Sequence, residues 1–333
     1  MTFGYQIYFS ERYKNRVNCW NPDAGTARVV AGDGSTGTGA DQKLLSPYGL
    51  AIDTSGHLLI ADKLGHRIVK LTNRIERIAS RDIEKKRMHH CTPLIDNPRS
   101  PTGIMAQRNG TLLVAFCDDL TLYRIHANGN LELIAGLPPS KVSVFSGFRK
   151  NIPAEECHKV PIYKPTSITQ SENGTYYFIE RGYGAIRSYH PNRGMNTLFD
   201  PRLAKTFRLL SSVPAITSCD EYWPCHPTSL IIGPDNLLYL SDARHRSIWQ
   251  IDPDSRSMKQ IFVTSGLNGR PFGGPAALAF GPDGTLWILD YGIGRVIGIR
   301  PDNPSWRLVQ SNCSTIYESI SCVANEGAGL ACG

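Results

Sequence analysis

The sequence predicts an all-β fold: a six-bladed β-propeller of four-stranded antiparallel blades, closed by pairing of the N- and C-terminal segments. Three observations carry that expectation. One phrase recurs five times at wide spacing, a short strand-like segment follows every copy, and the chain opens in the middle of the unit rather than at its start. A period of tens of residues decides architecture before any single motif does.

The copies begin at Pro47 ("PYGLAIDTSGHLLIADKLGHRIVKL"), Pro101, Pro165, Pro227 and Pro275 ("PAALAFGPDGTLWILDYGIGRVIGI"). Each reads as strand, tight turn, strand, short loop, strand. The leading proline has no N–H to give to a ladder and so stands where a strand begins. The turns carry Ser-Gly, Asn-Gly, Asp-Asn or Asp-Gly, pairs that tolerate positive φ. A fourth, outer strand follows at Ala27, Ile75, Leu131, Met195, Met258 and Trp306, which makes six. Six small sheets in series, none able to hide its own faces, bury them by standing radially and packing face to face.

The segment "YQIYFSERYKNRVNCW" from Tyr5 matches only the second half of the unit, so the first blade lacks an inner strand. "SISCVAN" from Ser319 is left to supply it. One domain over 1–333 follows, with blade 1 at about 5–45 plus the C-terminal strand and blade 2 at about 46–99. Blade 3 then occupies about 100–163, blade 4 about 164–225, blade 5 about 226–273 and blade 6 about 274–312.

Composition narrows the class. With 41% hydrophobic residues among 333, the chain can bury a large core, and its longest apolar runs are of strand length, which argues against a membrane span. No secretory leader stands at its start. The net charge of +7 favours anionic partners without identifying them. Nine cysteines are many for a reducing compartment, and Cys219 and Cys225 in "CDEYWPC" have spacing suited to a short disulfide or stand as free thiols. Of the Asn-x-Ser/Thr triplets at Asn109, Asn173 and Asn312, the first two are Asn-Gly pairs better read as turns.

The phrases "VAGDGSTG", "SPYGLAID" and "IADKLGHRIVKL" resemble the NHL-repeat propellers, and the resemblance covers nearly the whole chain. It is weakest in blade 3, where Phe116 replaces an acid. The peptidyl-hydroxyglycine amidating lyases are similar six-bladed propellers, and their resemblance implies zinc-binding histidines just after the leading prolines. This chain has Tyr48, Thr102, Thr166, Thr228 and Ala276 there, so that activity is not expected. The axial Asn, Asp and Glu of calcium-dependent propeller lactonases find no aligned Asn either. Together with the cysteine count, the resemblance points to a secreted or periplasmic compartment.

Propeller geometry returns the leading proline and the end of the second strand to one rim near the axis. The second strands end in Glu11, Asp62, Phe116, Glu180, Asp242 and Asp290, followed by Arg12, Lys63, Cys117, Arg181, Ala243 and Tyr291. The acids either accept backbone hydrogen bonds in the following loop or hold the adjacent cations toward a ligand. Arg12, Lys63 and Arg181 would bring three cations to one funnel, with Tyr48 and Tyr291 as proton donors, a set that suits a carboxylate or phosphate. Tyr48, Lys63, Glu180, Arg181 and Tyr291 are therefore the candidate catalytic residues. The candidate substrate-binding residues are Glu11, Arg12, Asp62, Thr102, Thr166, Thr228, Asp242, His158, His226 and Trp223.

Long loops from Leu137 and Pro201 carry Phe145, Phe148, Tyr163, Tyr222 and Trp223, which either wall the funnel or merely cover strand edges. His89, His90, Cys91, Cys157, His158, Cys225 and His226 cluster in loops leading to inner strands, where disulfides, unrelated surface positions or a divalent metal all stay open. No cofactor is called for. The expected function is a small-molecule enzyme of hydrolase, lyase or cyclase type, monomeric, acting on an anionic or polar substrate. The alternative is a non-catalytic propeller that binds protein or glycan. RNA is disfavoured because each cation has an acid beside it in sequence.

Overall fold

The computed structural model describes residues 5–35, 43–72, 75–80, 99–139, 149–201, 208–209, 226–262, 272–292, 294–299, 309–311 and 319–326, with backbone alone at 75–80, 208–209, 262, 309–311 and 319–326. These residues form six sheets. Blade 1 holds Tyr5–Glu11, Arg16–Asn21 and Thr26–Ala31, with Ser319–Glu326 added as its inner strand. In blades 2 to 6 the inner strands are Pro47–Ile52, Pro101–Ala106, Pro165–Gln170, Pro227–Ile232 and Pro275–Phe280, each starting on its leading proline. The ring closes as the sequence predicts: Tyr5 pairs with Glu326 and Glu11 with Ser319, antiparallel.

The expectation of four strands per blade holds for blades 1, 2, 3 and 6 and fails for 4 and 5. Asn151–Ile152 adds antiparallel to Gly194–Phe199, and Arg208–Leu209 adds parallel to Ser257–Phe262. Both extra strands come from the two long loops. The described part of the first loop therefore covers a strand edge at the outside of blade 4, away from the funnel, which satisfies backbone groups an edge would leave unpaired.

The second strands, "LLIAD", "LLVAF", "YYFIE", "LYLSD" and "LWILD", are buried at every position. Both faces of each are covered by neighbouring blades, hence the continuous apolar run in place of alternation. The core divides into six clusters, one for each blade-to-blade interface. Ile60 and Leu71 of blade 2 meet Tyr8 and Val17 of blade 1, for example, and Phe178 of blade 4 meets Leu113 and Leu122 of blade 3. Each such aliphatic or aromatic side chain contributes about 1.5–3 kcal/mol when fully buried.

At the axis the inner strands pack closely. A Cβ on Gly49 would lie 2.1 Å from the Thr102 carbonyl oxygen, so only glycine lets blades 2 and 3 approach there. Later blades replace glycine with serine and turn the contact into a bond. The Leu230 amide donates to Ser167 Oγ at 2.8 Å, and the Leu278 amide to Ser229 Oγ at 3.2 Å. At the closing seam the Tyr5 hydroxyl donates to Asp283 Oδ1 at 2.9 Å and accepts from Trp287 Nε1 at 2.9 Å, with Trp20 and Trp287 edge to face at 5.3 Å.

Candidate functional site

In blades 2 to 6 the leading proline and the end of the second strand lie side by side: Pro47 faces Asp62, Pro101 Phe116, Pro165 Glu180, Pro227 Asp242 and Pro275 Asp290. The next residue then repeats one bond. The amides of Lys63, Cys117, Arg181 and Tyr291 each donate to the carbonyl just before the leading proline, at 3.3, 3.0, 3.2 and 3.1 Å. Four chemically different side chains thus occupy one structural position in blades 2, 3, 4 and 6. Ser46, Ser100 and Lys164, which supply three of those carbonyls, hold left-handed φ of 57°, 57° and 52°. Those values are costly directly before proline.

The acids are engaged elsewhere. Asp62 accepts from the Leu45 amide at 2.6 Å and Arg67 Nε at 2.8 Å; Asp290 accepts from the Gly274 amide at 2.8 Å. Glu180 accepts from the Tyr163 amide at 2.8 Å and faces Arg187 at 3.5 Å. Asp242 accepts from the amides of Arg244 and His245 at 3.0 Å and from His245 Nδ1 at 2.9 Å, and Glu11 from Lys14, Arg16 and Asn18. All five are buried, and they tie down loops. The expectation that they hold the adjacent cations is corrected: among the described residues, no carboxylate forms an ion pair with Arg12, Lys63 or Arg181. The sequence-level argument against RNA loses its basis with it.

Blade 3 departs from the pattern and repairs it. Phe116 is packed against Tyr123, and Asp119, three residues on, receives the Arg99 amide instead. Burial pushes the Asp62 carboxyl up despite Arg67. For Asp242 burial acts the same way, yet His245 and the loop amides outweigh it and hold the carboxyl below its ordinary value.

The threonines divide similarly. Thr102 Oγ1 donates to the Pro165 carbonyl at 2.8 Å, and Thr228 Oγ1 to the Pro275 carbonyl at 3.1 Å, so both link neighbouring blades. Thr166 is buried. The Thr102 and Thr228 hydroxyls are thus blade ties, where the sequence reading made them substrate ligands.

What the rim does gather is an arc across blades 1 to 4. Arg181 Nη1 reaches from blade 4 to within 3.4 Å of the Tyr48 hydroxyl on blade 2. Lys63 Nζ stands 5.5 Å from the centre of the same ring, in cation–π range. Arg12 is held by Ser46 Oγ at 3.1 Å and acts electrostatically on both Tyr48 and Lys63. Cys117 lies between the blade 2 and blade 4 cations. Burial raises the Tyr48 hydroxyl, keeping it protonated, and burial also lowers Lys63, a shift that Arg12 and Arg181 reinforce. Beneath Tyr48 runs an axial cavity of about 90 Å³, lined by inner strands of blades 2 to 6, including Gly49, Thr102, Ser167, Thr228 and Leu278.

Other candidates fall outside the arc. Tyr291 is 38% exposed on blade 6. His158 and His226 are exposed, while the Cys157 thiol points inward and donates to the Pro153 carbonyl at 3.2 Å. Cys157 is a free thiol, which corrects any disulfide expected through it. His89, His90, Cys91, Phe145, Phe148, Cys219, Tyr222, Trp223, Cys225 and Asn312 lie outside the described residues. Asn109 and Asn173 are turn residues, their side chains accepting from the Thr111 and Thr175 amides at 3.1 and 3.0 Å. Sequence reasoning assigned no role to Cys117, Asp119 or Lys164. Cys117 was marked only by its place in the ring, and Lys164 by its place before a leading proline.

No family model matches the chain, and no curated protein does. Solved structures share the fold. Virginiamycin B lyase from Staphylococcus aureus is 15% identical over 91% of this chain and 80% of its own, with a TM-score of 0.53. A chain of a nidogen/laminin complex is 12% identical over 96% and 98%, at 0.62. A gluconolactonase from Xanthomonas campestris is 14% identical over 85% and 78%, at 0.53. At these identities the shared feature is the six-bladed propeller.

Proposed function

We propose that the protein is a small-molecule enzyme of hydrolase, lyase or cyclase type, and an NHL-type propeller, whose substrate bears a carboxylate or phosphate and binds at the mouth of the axial cavity. The observation that carries this is the convergence of Arg12, Lys63 and Arg181 on one buried tyrosine, with no carboxylate ion-paired to them among the described residues. Arg12 and Lys63 are half-buried and Arg181 is exposed, and cations gathered around one ring attract an anion more strongly than cations scattered over a surface. Arg12 and Arg181 would grip the anionic group. Lys63, whose proton is loosened by burial and by its cationic neighbours, would act as base, and Tyr48 as proton donor.

The test is a panel of small carboxylates and phosphates, scored by thermal shift and calorimetry. Wild type should bind at least one class, and Arg181→Ala or Lys63→Ala should weaken it about tenfold or more with little change in the ligand-free melting temperature. Variants that melt much lower yet bind equally well, or a wild type that binds nothing in the panel, would overturn the reading.

A second reading, a non-catalytic face for a protein or glycan, is favoured by one observation. Tyr13, Leu64 and Tyr291, which are 65%, 46% and 38% exposed, all follow second strands on this same rim. Exposed aromatic and aliphatic groups on one face mark association surfaces. Loss of partner binding on charge reversal at Arg12, in a protein whose wild type binds no small anion and turns over no ester, would favour it.

A further inference from the structure

We propose that Cys117 is the covalent nucleophile of this rim site, and that the substrates are small esters, lactones or thioesters carrying an anionic group. This rests on the anion-binding reading above and adds a residue and a reaction class to it.

Two free thiols are present among the described residues, and they differ in kind. Cys157 belongs to the apolar cluster between blades 3 and 4, and its thiol bonds backbone carbonyls. Cys117 belongs to none of the six apolar clusters, though it is only 6% exposed. Its amide bond to the Ser100 carbonyl fixes it in the position that Lys63 and Arg181 hold in the flanking blades. It lies within electrostatic reach of Lys63, Lys164 and Arg181, with the neighbouring Asp118 opposing them, and of Tyr48 from the other side. A sulfur flanked by cations is where a thiolate is stabilised as it forms. Burial raises the Cys117 thiol and lowers Lys63, so neither holds its charge readily and a proton can pass from the one to the other.

The step balances with the residues present. Lys63, as the free amine, takes the thiol proton. The sulfur lone pair forms a C–S bond at the acyl carbon, and the C=O π electrons move to oxygen, where Arg181 stabilises the oxyanion. Collapse breaks the bond to the leaving oxygen or sulfur, which takes a proton from the Tyr48 hydroxyl, and the Lys63 ammonium returns one to the phenolate. Water then adds to the thioester, giving its proton to Lys63. The C–S bond breaks, and the departing thiolate recovers that proton.

Two measurements on the full chain test this. In the first, intact protein is alkylated with iodoacetate or iodoacetamide, and labelling at Cys117 is followed by peptide mass spectrometry, with glutathione as reference. The anionic reagent should be favoured about tenfold over its glutathione ratio, and Arg181→Ala should remove the preference. In the second, mono-p-nitrophenyl glutarate should release a burst of p-nitrophenolate and leave a glutaryl adduct on Cys117 after acid quench. Cys117→Ser and the neutral ester p-nitrophenyl acetate should not. Anion thermal shifts that persist with neither labelling preference nor adduct would overturn the nucleophile and leave the anion site standing. Loss of the thermal shifts themselves would instead count against the parent reading.

Discussion

Arg181 of blade 4 and Tyr48 of blade 2 are 133 positions apart in the chain and 3.4 Å apart at the mouth of the axial cavity. A contact that spans blade 3 exists because the blades stand radially, with their inner ends meeting at one axis. It also fixes the phenol beneath the Lys63 ammonium. Tyr48→Phe keeps the ring and removes the hydroxyl. Turnover should fall by about 10²–10⁴-fold if that hydroxyl gives the proton, with the melting temperature little changed. Steady-state kinetics beside calorimetry separate that outcome from a purely structural loss.

The closing seam makes a stability prediction. Tyr5→Phe removes the oxygen that receives the Trp287 indole N–H and donates to Asp283, both at 2.9 Å, in a largely buried setting. Urea unfolding should show a loss of about 1–3 kcal/mol. No measurable loss would mean that water replaces the phenol at no cost.

Removal of the inner strand of blade 1 should do far more. A chain ending at Asn312 lacks Ser319–Glu326 and leaves the edge of Tyr5–Glu11 open. That variant should lose its cooperative transition or aggregate, as seen by circular dichroism and size-exclusion chromatography. Melting like the full chain would refute closure by this segment.

Asp242 predicts a pH dependence. Its carboxyl is held below the ordinary value in the folded state, so its contribution is present above the unfolded value, about 3.9, and is lost as pH falls through the folded value. Asp242→Asn should be less stable than wild type by about 2 kcal/mol at pH 7, and the gap should narrow below about pH 4. Asp62, at the same position of blade 2, is raised by burial, so wild type should gain stability relative to Asp62→Asn as pH falls through the folded value, the opposite trend. Melting curves from pH 3 to 7 on both variants check the pair.

The sequence made the ring legible because its signals are local. Proline at each inner strand, turn pairs at each hairpin and a missing first strand are read without knowing what packs where. The rim residues were legible as positions for the same reason, since the repeat aligns Lys63, Cys117 and Arg181. Their partners were not. Whether Asp62 holds Lys63 or Arg67 depends on which loop docks beside it, and spacing along the chain does not encode that. Asp119 shows the limit most clearly: it does the work that the repeat assigns to residue 116, from three positions away. The fifth strands of blades 4 and 5 were missed because two-residue pairings leave no periodic trace.

Completing blade 1 with residues 319–326 also sets a schedule for biosynthesis. Arg12 is synthesised long before Glu326, yet the sheet beside it gains its inner strand only once the chain has been made through Glu326. Every nascent copy therefore carries an unfinished pocket until residues 319–326 emerge, and full affinity for an anion arrives in one step with their pairing to Tyr5–Glu11.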